Sequence, residues 1–117
     1  MKINHLNLTV TDVALARDFL AKYFGLRPAS QGPISDRIAL MFDDNDMVLT
    51  LMSEGDKEVN YPSSFHIGFI QPSEEKVNEL NQRLKDDGFD VKPPRRFHGS
   101  WTFYFKAPGG VLIEVLH

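Results

Sequence analysis

The chain has 117 residues, 42% hydrophobic and 25% charged, with a formal net charge of -3 at pH 7. This composition suits one compact domain, and the negative charge argues against a surface for nucleic acid or anionic membrane. Because cysteine is absent, disulfides, thiolate metal sites and cysteine nucleophiles are excluded, and any metal must be held by His, Asp or Glu. The first residues lack a signal-peptide pattern and no apolar run has the length of a membrane span, so we expect a cytoplasmic protein.

The chain opens with a predicted strand and helix. Residues 5–10 alternate polar and apolar side chains, which is the period of a half-buried strand. Thr11 or Asp12 is expected to cap a helix that ends at Gly25. Its expected buried stripe, at helical spacing, consists of Leu15, Phe19, Leu20, Tyr23 and Phe24.

The rest of the first half predicts a loop and a hairpin. Residues 28–35 are rich in Pro, Gly and Ser, and strands are expected at 37–42 and 47–52. The acidic stretch 43–46 between them lacks the later glutamate of a calcium loop, so it predicts a hairpin turn. A polar connector, 54–63, follows.

The same order of elements then begins again. A strand is expected at 65–70, and Ser73 starts a helix with acidic residues in its first turn and a glycine, Gly88, at its end. The predicted buried stripe of this helix is Val77, Leu80 and Leu84. Three later strands are expected at 89–91, 101–105 and 111–116.

The two halves align with each other. His5 pairs with His66, and 48–51 pairs with 112–115, at slightly different offsets of the kind that loop insertions produce. We interpret this as a duplication within a single domain, 1–117. The predicted division is module 1 at 1–53, a connector at 54–63 and module 2 at 64–117.

Strand alternation places many polar side chains on one sheet surface. These are His5, Asn7, Thr50, His66, Thr102, Tyr104 and Glu114. Glu114 lies within the apolar run 111–116, and a buried carboxylate is costly unless it is paired or coordinates a metal. Two imidazoles and one carboxylate suit a divalent first-row ion, so we predict His5, His66 and Glu114 as ligands. Taken singly, each has an ordinary alternative, as an exposed histidine or a glutamate at a sheet edge.

Four segments together resemble the vicinal oxygen chelate superfamily, which includes glyoxalase I, fosfomycin-resistance thiol transferases, extradiol dioxygenases and bleomycin-resistance proteins. The segments are 4–12, 23–26, 65–69 and 103–114. The resemblance implies an α+β fold of two βαβββ modules, whose curled mixed sheets form a cleft around a metal. It also implies a homodimer, and it places His5, His66 and Glu114 on the family's ligand positions.

The resemblance also bears on individual residues. Tyr104 precedes Glu114 by the spacing of an active-site tyrosine in the thiol transferases and extradiol dioxygenases, which implies a hydrogen-bond donor to a metal-bound oxygen. Thr50 stands where glyoxalase I carries a second glutamate, and this departure counts against ordinary glyoxalase I activity. Asn7 stands where the thiol transferases carry a threonine.

Other residues are candidates with an open alternative. His98, one residue from the place of a histidine in the extradiol dioxygenase signature, is a candidate general acid or base, or an ordinary loop histidine. Arg95 and Arg96 are either anion-binding residues or a solvated charge pair, and Trp101 either lines the pocket or fills the core. The predicted substrate-binding set is Asn7, Thr50, Arg96, Trp101 and Thr102.

The resulting hypothesis is a divalent-metal-dependent enzyme that acts on a small oxygenated molecule by Lewis-acid catalysis. Lyase, thiol transferase and extradiol dioxygenase chemistry all remain open, and the ligand set does not distinguish Fe²⁺, Mn²⁺, Ni²⁺, Co²⁺ and Zn²⁺. The alternative is a metal-free protein of the bleomycin-resistance type that sequesters a small molecule. The presence of all three ligand residues favours the enzyme.

Overall fold

The computed structural model describes residues 1–30 and 35–117, so half of the predicted loop 28–35 lies outside the described residues. In the described part of the chain, ten elements follow one another. They are β1 (His5–Thr9), α1 (Val13–Phe24), β2 (Arg27–Pro28), β3 (Ile38–Phe42), β4 (Val48–Met52), β5 (Ile67–Ile70), α2 (Glu74–Asp86), β6 (Arg95–Phe97), β7 (Ser100–Lys106) and β8 (Leu112–Leu116). The order βαβββ occurs twice, which confirms the predicted α+β fold class.

The duplication extends to the pairing of the strands. The two four-stranded sheets formed by the described residues have the orders β1-β4-β3-β2 and β5-β8-β7-β6. In each sheet the first pair is parallel and the others are antiparallel. Asn7 lies opposite Thr50 in the first sheet, and Gly68 lies opposite Glu114 in the equivalent place of the second. At these positions the two halves therefore correspond.

Contacts divide the chain into two compact units. The first comprises 1–61 with 108–111, and the second comprises 62–107 with 112–117. Each unit contains one sheet and the helix that packs against it.

In the first unit, α1 packs on β3 and β4. Asp12 Oδ1 accepts a hydrogen bond from the Leu15 amide at 2.9 Å and so caps the helix. Gly25 ends it with φ 68°, a left-handed conformation that glycine adopts without steric cost. The expected burial of Leu15 is wrong, since it is 52% exposed. The buried helix residues are Val13, Ala16, Phe19 and Leu20, and Leu15 lies at the exposed margin of this stripe, one turn before Phe19.

A close approach between loop and strand explains one glycine of the Pro-Gly-Gly segment. Gly109 has φ 98°, and a Cβ added there would lie 3.2 Å from Cβ and Cγ1 of Val10. Its carbonyl accepts a hydrogen bond from the Thr11 amide. Because both the backbone conformation and the space exclude a larger residue, glycine is required here.

In the second unit, α2 packs on β7 and β8. Ser73 Oγ accepts from the Lys76 amide at 3.2 Å, as the predicted helix start requires. The predicted stripe is confirmed: Val77, Leu80 and Leu84 are all buried. Burial of each such side chain contributes roughly 1.5–3 kcal/mol.

Two expected features of the strands are wrong. The segment 89–91 forms no strand, and instead the Asn81 amide donates to the Lys92 carbonyl at 2.8 Å, which holds this segment against α2. The first strand after α2 is instead β6, in a segment for which the sequence predicted a Pro-rich loop. A short strand, β2, also falls at the start of the expected loop in the first half.

Across residues 1–30 and 35–117, no helix combines the length and apolar character needed to cross a membrane.

Candidate functional site

Glu114 lies at the middle of β8, between two neighbouring strands of the second sheet. Its ladder partners are Gly68 on β5 and Tyr104 on β7. The adjacent residues Ile113 and Val115 are buried on the helix side, so strand alternation turns Glu114 to the opposite face. Its side chain is only 14% exposed. Such a carboxylate requires partners, and the second unit supplies three.

Thr102 is the first partner. Its hydroxyl lies 2.9 Å from Glu114 Oε1 and 2.8 Å from the Val115 carbonyl oxygen. Thr102 is fully buried. The sequence suggested a substrate contact, whereas both of its hydrogen-bond partners are internal, and its contact with Oε1 fixes the Glu114 carboxylate.

His66 is the second partner and immediately precedes β5. Its Nδ1 lies 3.0 Å from the Ser64 carbonyl oxygen, which can only accept, so Nδ1 carries the proton and donates. Its Nε2 lies 3.4 Å from Glu114 Oε2. Metal-binding histidines commonly donate one ring N–H to a carbonyl in this way and use the other nitrogen as the ligand.

Tyr104 is the third partner, and its ring lies edge-on to the His66 ring with a centroid separation of 5.4 Å. Burial and a hydrogen bond to the Glu114 carboxylate raise the pKa of Tyr104 to about 12. The phenol is therefore neutral at physiological pH and acts as a hydrogen-bond donor. We call His66, Thr102, Tyr104 and Glu114 the Glu114 cluster.

The third predicted ligand, His5, belongs to the first unit and begins β1. Its Nδ1 lies 3.0 Å from the side-chain oxygen of Asn4, so an oxygen from a preceding residue engages Nδ1 of His5 as it does Nδ1 of His66. The predicted substrate-binding pair Asn7 and Thr50 are ladder partners in the same sheet. Thr50 stands in the place that Glu114 occupies in the second sheet.

The Glu114 cluster fits a metal ion by the spacing of its donor atoms. Two ligands about 2.1 Å from a common ion lie between about 3.0 and 3.4 Å apart, for right-angled and tetrahedral arrangements respectively. The observed separation of His66 Nε2 and Glu114 Oε2, 3.4 Å, falls at the tetrahedral end of this range. Over the described residues, no group of three or more His, Asp or Glu side chains is arranged as a complete ligand set.

The structure places two predicted substrate-binding residues on the other face of the sheet. Trp101 Nε1 donates to Asn78 Oδ1 on α2 at 2.8 Å. Arg96, the ladder partner of Trp101, stacks over its ring and forms an ion pair with Glu74. Both therefore pack around α2, away from Glu114, because alternation places Trp101 with buried Phe103 rather than with Tyr104.

The structure places Arg95 at the site, whereas the sequence analysis did not distinguish Arg95 from Arg96. It is the ladder partner of Thr102, which places it on the face of Glu114 and Tyr104. It lines a pocket of about 330 Å³ together with Asp90, Lys92, Phe103 and Tyr104. Alternation of side chains along β6 would have identified Arg95, but the sequence predicted a loop for this segment.

His98 lies in the turn between β6 and β7. Its φ is 49°, and that of the following Gly99 is 82°, so both turn residues are left-handed. The His98 ring packs on Phe97 with a centroid separation of 3.9 Å, and Phe97 in turn lies 6.3 Å from the Tyr104 ring. His98 therefore joins the Glu114 cluster only through the intervening Phe97.

Comparison with known families agrees with this fold. The chain belongs to the Glyoxalase/Bleomycin resistance protein/Dioxygenase superfamily, whose sequence model matches residues 2–115. No curated protein matches the chain.

Solved structures provide several similar proteins. A structure described as that of a possible glyoxalase from Bacillus cereus is 54% identical, with a TM-score of 0.90, over 100% of this chain and 99% of that chain. Lactoylglutathione lyase from Agrobacterium tumefaciens is 19% identical, with a TM-score of 0.74, over 98% and 92% of the two chains. A mutant of the fosfomycin resistance protein FosX from Listeria monocytogenes is 22% identical, with a TM-score of 0.76, over 98% and 90%. The last two likenesses show the shared fold.

Proposed function

We propose that this protein is a divalent-metal-dependent enzyme that acts on a small oxygenated substrate. The observation that carries the proposal is the approach of His66 Nε2 to Glu114 Oε2 at 3.4 Å, with Thr102 fixing the other carboxylate oxygen. The FosX structure was determined with Mn(II) and 1S,2S-dihydroxypropylphosphonic acid, which supports a divalent ion on this fold.

The residues that would hold the ion are His66, Glu114 and His5. We propose that a second copy of the chain supplies the third ligand in a homodimer. Exposed apolar side chains of the first sheet support association of copies, since exposed apolar area commonly marks an interface. They are Leu6, Ile38, Leu40 and Met52.

When bound, a divalent ion supplies Lewis-acid stabilisation of negative charge on the substrate oxygens. The protein's own contribution is positioning. Tyr104 is neutral, and its hydroxyl would turn from Glu114 to donate its single hydrogen bond to a substrate oxygen that gains charge during the reaction. Thr102 keeps the carboxylate in one orientation while the substrate binds.

A second candidate function is sequestration of a small molecule without a metal, as in bleomycin-resistance proteins. One observation favours it: the pocket of about 330 Å³ beside Tyr104 is large enough for a small molecule and is lined by neither His66 nor Glu114.

The deciding experiment is metal analysis of untagged protein after equilibration with Mn²⁺ or Zn²⁺ and removal of free ion. We expect about one ion per subunit for the wild type, and none for His66→Ala. His117→Ala is the matched control, because His117 Nδ1 also contacts a carbonyl oxygen, that of Gln71, at 3.0 Å but no carboxylate faces its ring among the described residues. Full occupancy in folded His66→Ala protein would refute the metal site, and an empty wild type would favour sequestration.

A second measurement separates the reaction classes. Oxygen uptake with catechols by iron-loaded protein would indicate extradiol cleavage. Metal binding without oxygen consumption would indicate lyase or transferase chemistry.

A further inference from the structure

We propose that Arg95 recognises an oxyanion group of the substrate, such as a carboxylate or a phosphonate, beside the Glu114 cluster. This inference rests on the proposed function, because it assigns the substrate class of the same site. It also distinguishes Arg95 from Arg96, which adjoins it in the chain and has a different task.

The side chains of Arg95 and Arg96 point in opposite directions. Arg95 pairs with Thr102 and Arg96 with Trp101, so they occupy opposite faces of the second sheet. Arg96 is engaged by Glu74 and by the Trp101 ring. Only Arg95 is on the face that carries the Glu114 carboxylate.

Among the described residues, the Arg95 guanidinium lies against an aromatic ring and not against a carboxylate. Within residues 1–30 and 35–117 no carboxylate lies within ion-pair distance of it. Its carbon Cζ lies 4.1 Å from the centroid of the Phe97 ring. Stacking on an aromatic ring orients the guanidinium plane and leaves its N–H edge available for bidentate contact with an oxyanion.

Arg95 also lines a pocket of the second unit. Its volume of about 330 Å³ is sufficient for a small molecule, and Tyr104 forms part of its wall. Two cationic side chains, Lys92 and Arg95, and one anionic side chain, Asp90, line it, so its net charge is positive.

The chemistry explains why a separate cation is needed. A substrate oxyanion that approached the Glu114 carboxylate alone would be repelled by it. A guanidinium on the same face compensates that repulsion and fixes the orientation of the substrate through two parallel hydrogen bonds. Lysine would supply the positive charge but not the pair of parallel N–H donors.

The test is calorimetric titration of the full-length protein with inorganic phosphate, and separately with acetate, at fixed ionic strength. Wild type, Arg95→Gln and Arg95→Lys are compared with Arg96→Gln as the matched control. Each protein is measured after EDTA treatment and again after Mn²⁺ loading, because phosphate also binds bound metal. Mn²⁺ uptake is recorded for every variant.

We expect saturable binding of phosphate to the wild type in the millimolar range, weakened about tenfold by Arg95→Gln and less by Arg95→Lys. Arg96→Gln is expected to change the Kd less than about twofold, and all variants keep the Mn²⁺ uptake of the wild type. Tighter binding of phosphate than acetate would assign a phosphoryl or phosphonyl group, and the reverse would assign a carboxylate.

Two outcomes would overturn the inference: no saturable binding of either anion up to about 50 mM, or equal losses in Arg95→Gln and Arg96→Gln. The proposed metal-dependent function fails separately. If no protein binds Mn²⁺ while the dependence on Arg95 persists, the metal enzyme is wrong and the oxyanion site stands.

Discussion

His66 Nε2 and Glu114 Oε2 lie 3.4 Å apart, and in both side chains the other polar atom is already engaged. His66 donates from Nδ1 to the Ser64 carbonyl, and Glu114 Oε1 accepts from Thr102. Because Nδ1 carries the His66 proton, Nε2 and Oε2 face each other as two acceptors, which a shared metal cation would bridge. This pair is the chemical centre of the second unit, and the surrounding contacts make it testable.

The Thr102 hydroxyl is expected to control the orientation of Glu114. Thr102→Val has nearly the same shape but leaves Oε1 of a mostly buried carboxylate without this donor. We expect a loss of roughly 1–3 kcal/mol in the free energy of unfolding, and metal affinity about 10–100-fold lower. Denaturant unfolding and Mn²⁺ titration measure the two effects. Thr102→Ser keeps the hydroxyl and should retain both properties, so equal damage in both variants would refute the hydrogen-bond role.

A carboxylate at position 50 is expected to strengthen metal binding. Thr50 occupies in the first sheet the place of Glu114 in the second, opposite Asn7. If it faces the ion in the assembled protein, Thr50→Glu adds a fourth ligand and raises the affinity for Ni²⁺ or Zn²⁺ by about tenfold or more. Competition with a chelating indicator measures the affinity. Thr50→Gln is the uncharged control, and an unchanged affinity of Thr50→Glu would mean that position 50 does not face the ion.

His98 is expected to be replaceable without loss of metal. Its φ of 49° in a two-residue turn favours asparagine, which adopts left-handed conformations more readily than histidine. His98→Asn should therefore increase the free energy of unfolding by up to about 1 kcal/mol and leave Mn²⁺ uptake unchanged. Thermal unfolding and metal analysis together test this. A less stable variant would show that the packing of His98 on Phe97 outweighs the relief of the turn.

Tyr61 is expected to make stability depend on alkaline pH. Its hydroxyl donates to the Thr9 carbonyl at 2.6 Å, and burial raises its pKa above the usual value of 10.0. Because the folded state binds this proton more tightly, the contribution of Tyr61 to stability is complete below pH 10 and decreases as the pH rises toward the raised pKa. Tyr61→Phe should lower the free energy of unfolding by about 1 kcal/mol at neutral pH.

The pH profile isolates this residue. The difference in free energy of unfolding between wild type and Tyr61→Phe is expected to shrink above pH 10, since other tyrosines contribute equally to both proteins. Urea unfolding between pH 7 and about 11 provides the measurement. A difference that grows with pH would contradict the sign of the shift.

Much of the fold follows from local patterns. Asp12 and Gly25 act as the predicted ends of α1, and Ser73 as the predicted start of α2, because helix ends depend on backbone groups that a nearby side chain or a left-handed residue satisfies. The buried stripe of α2 was also predicted correctly from the helical spacing of its apolar residues. The burial of Leu15 was misjudged because an apolar residue near a helix start fits a periodic pattern in more than one phase.

The sequence predicted only part of the site. The run 111–116 predicted that Glu114 needs partners, and the structure supplies Thr102, Tyr104 and His66. The sequence did not reveal that Thr102 is an internal partner of Glu114. A single hydroxyl on a strand can turn to solvent, to a carbonyl or to a side chain, and only packing decides among them.

Spacing along the chain predicted the duplicated order of elements, the polar face of the strands and the equivalence of His5 and His66. Which of the adjacent arginines, Arg95 or Arg96, shares a face with Glu114 depends on strand pairing instead. Strand side chains alternate with a period of two, so a one-residue change in pairing moves every side chain to the other face. The ladder between β6 and β7 sets that pairing, and no local pattern in the Pro-rich segment specifies it.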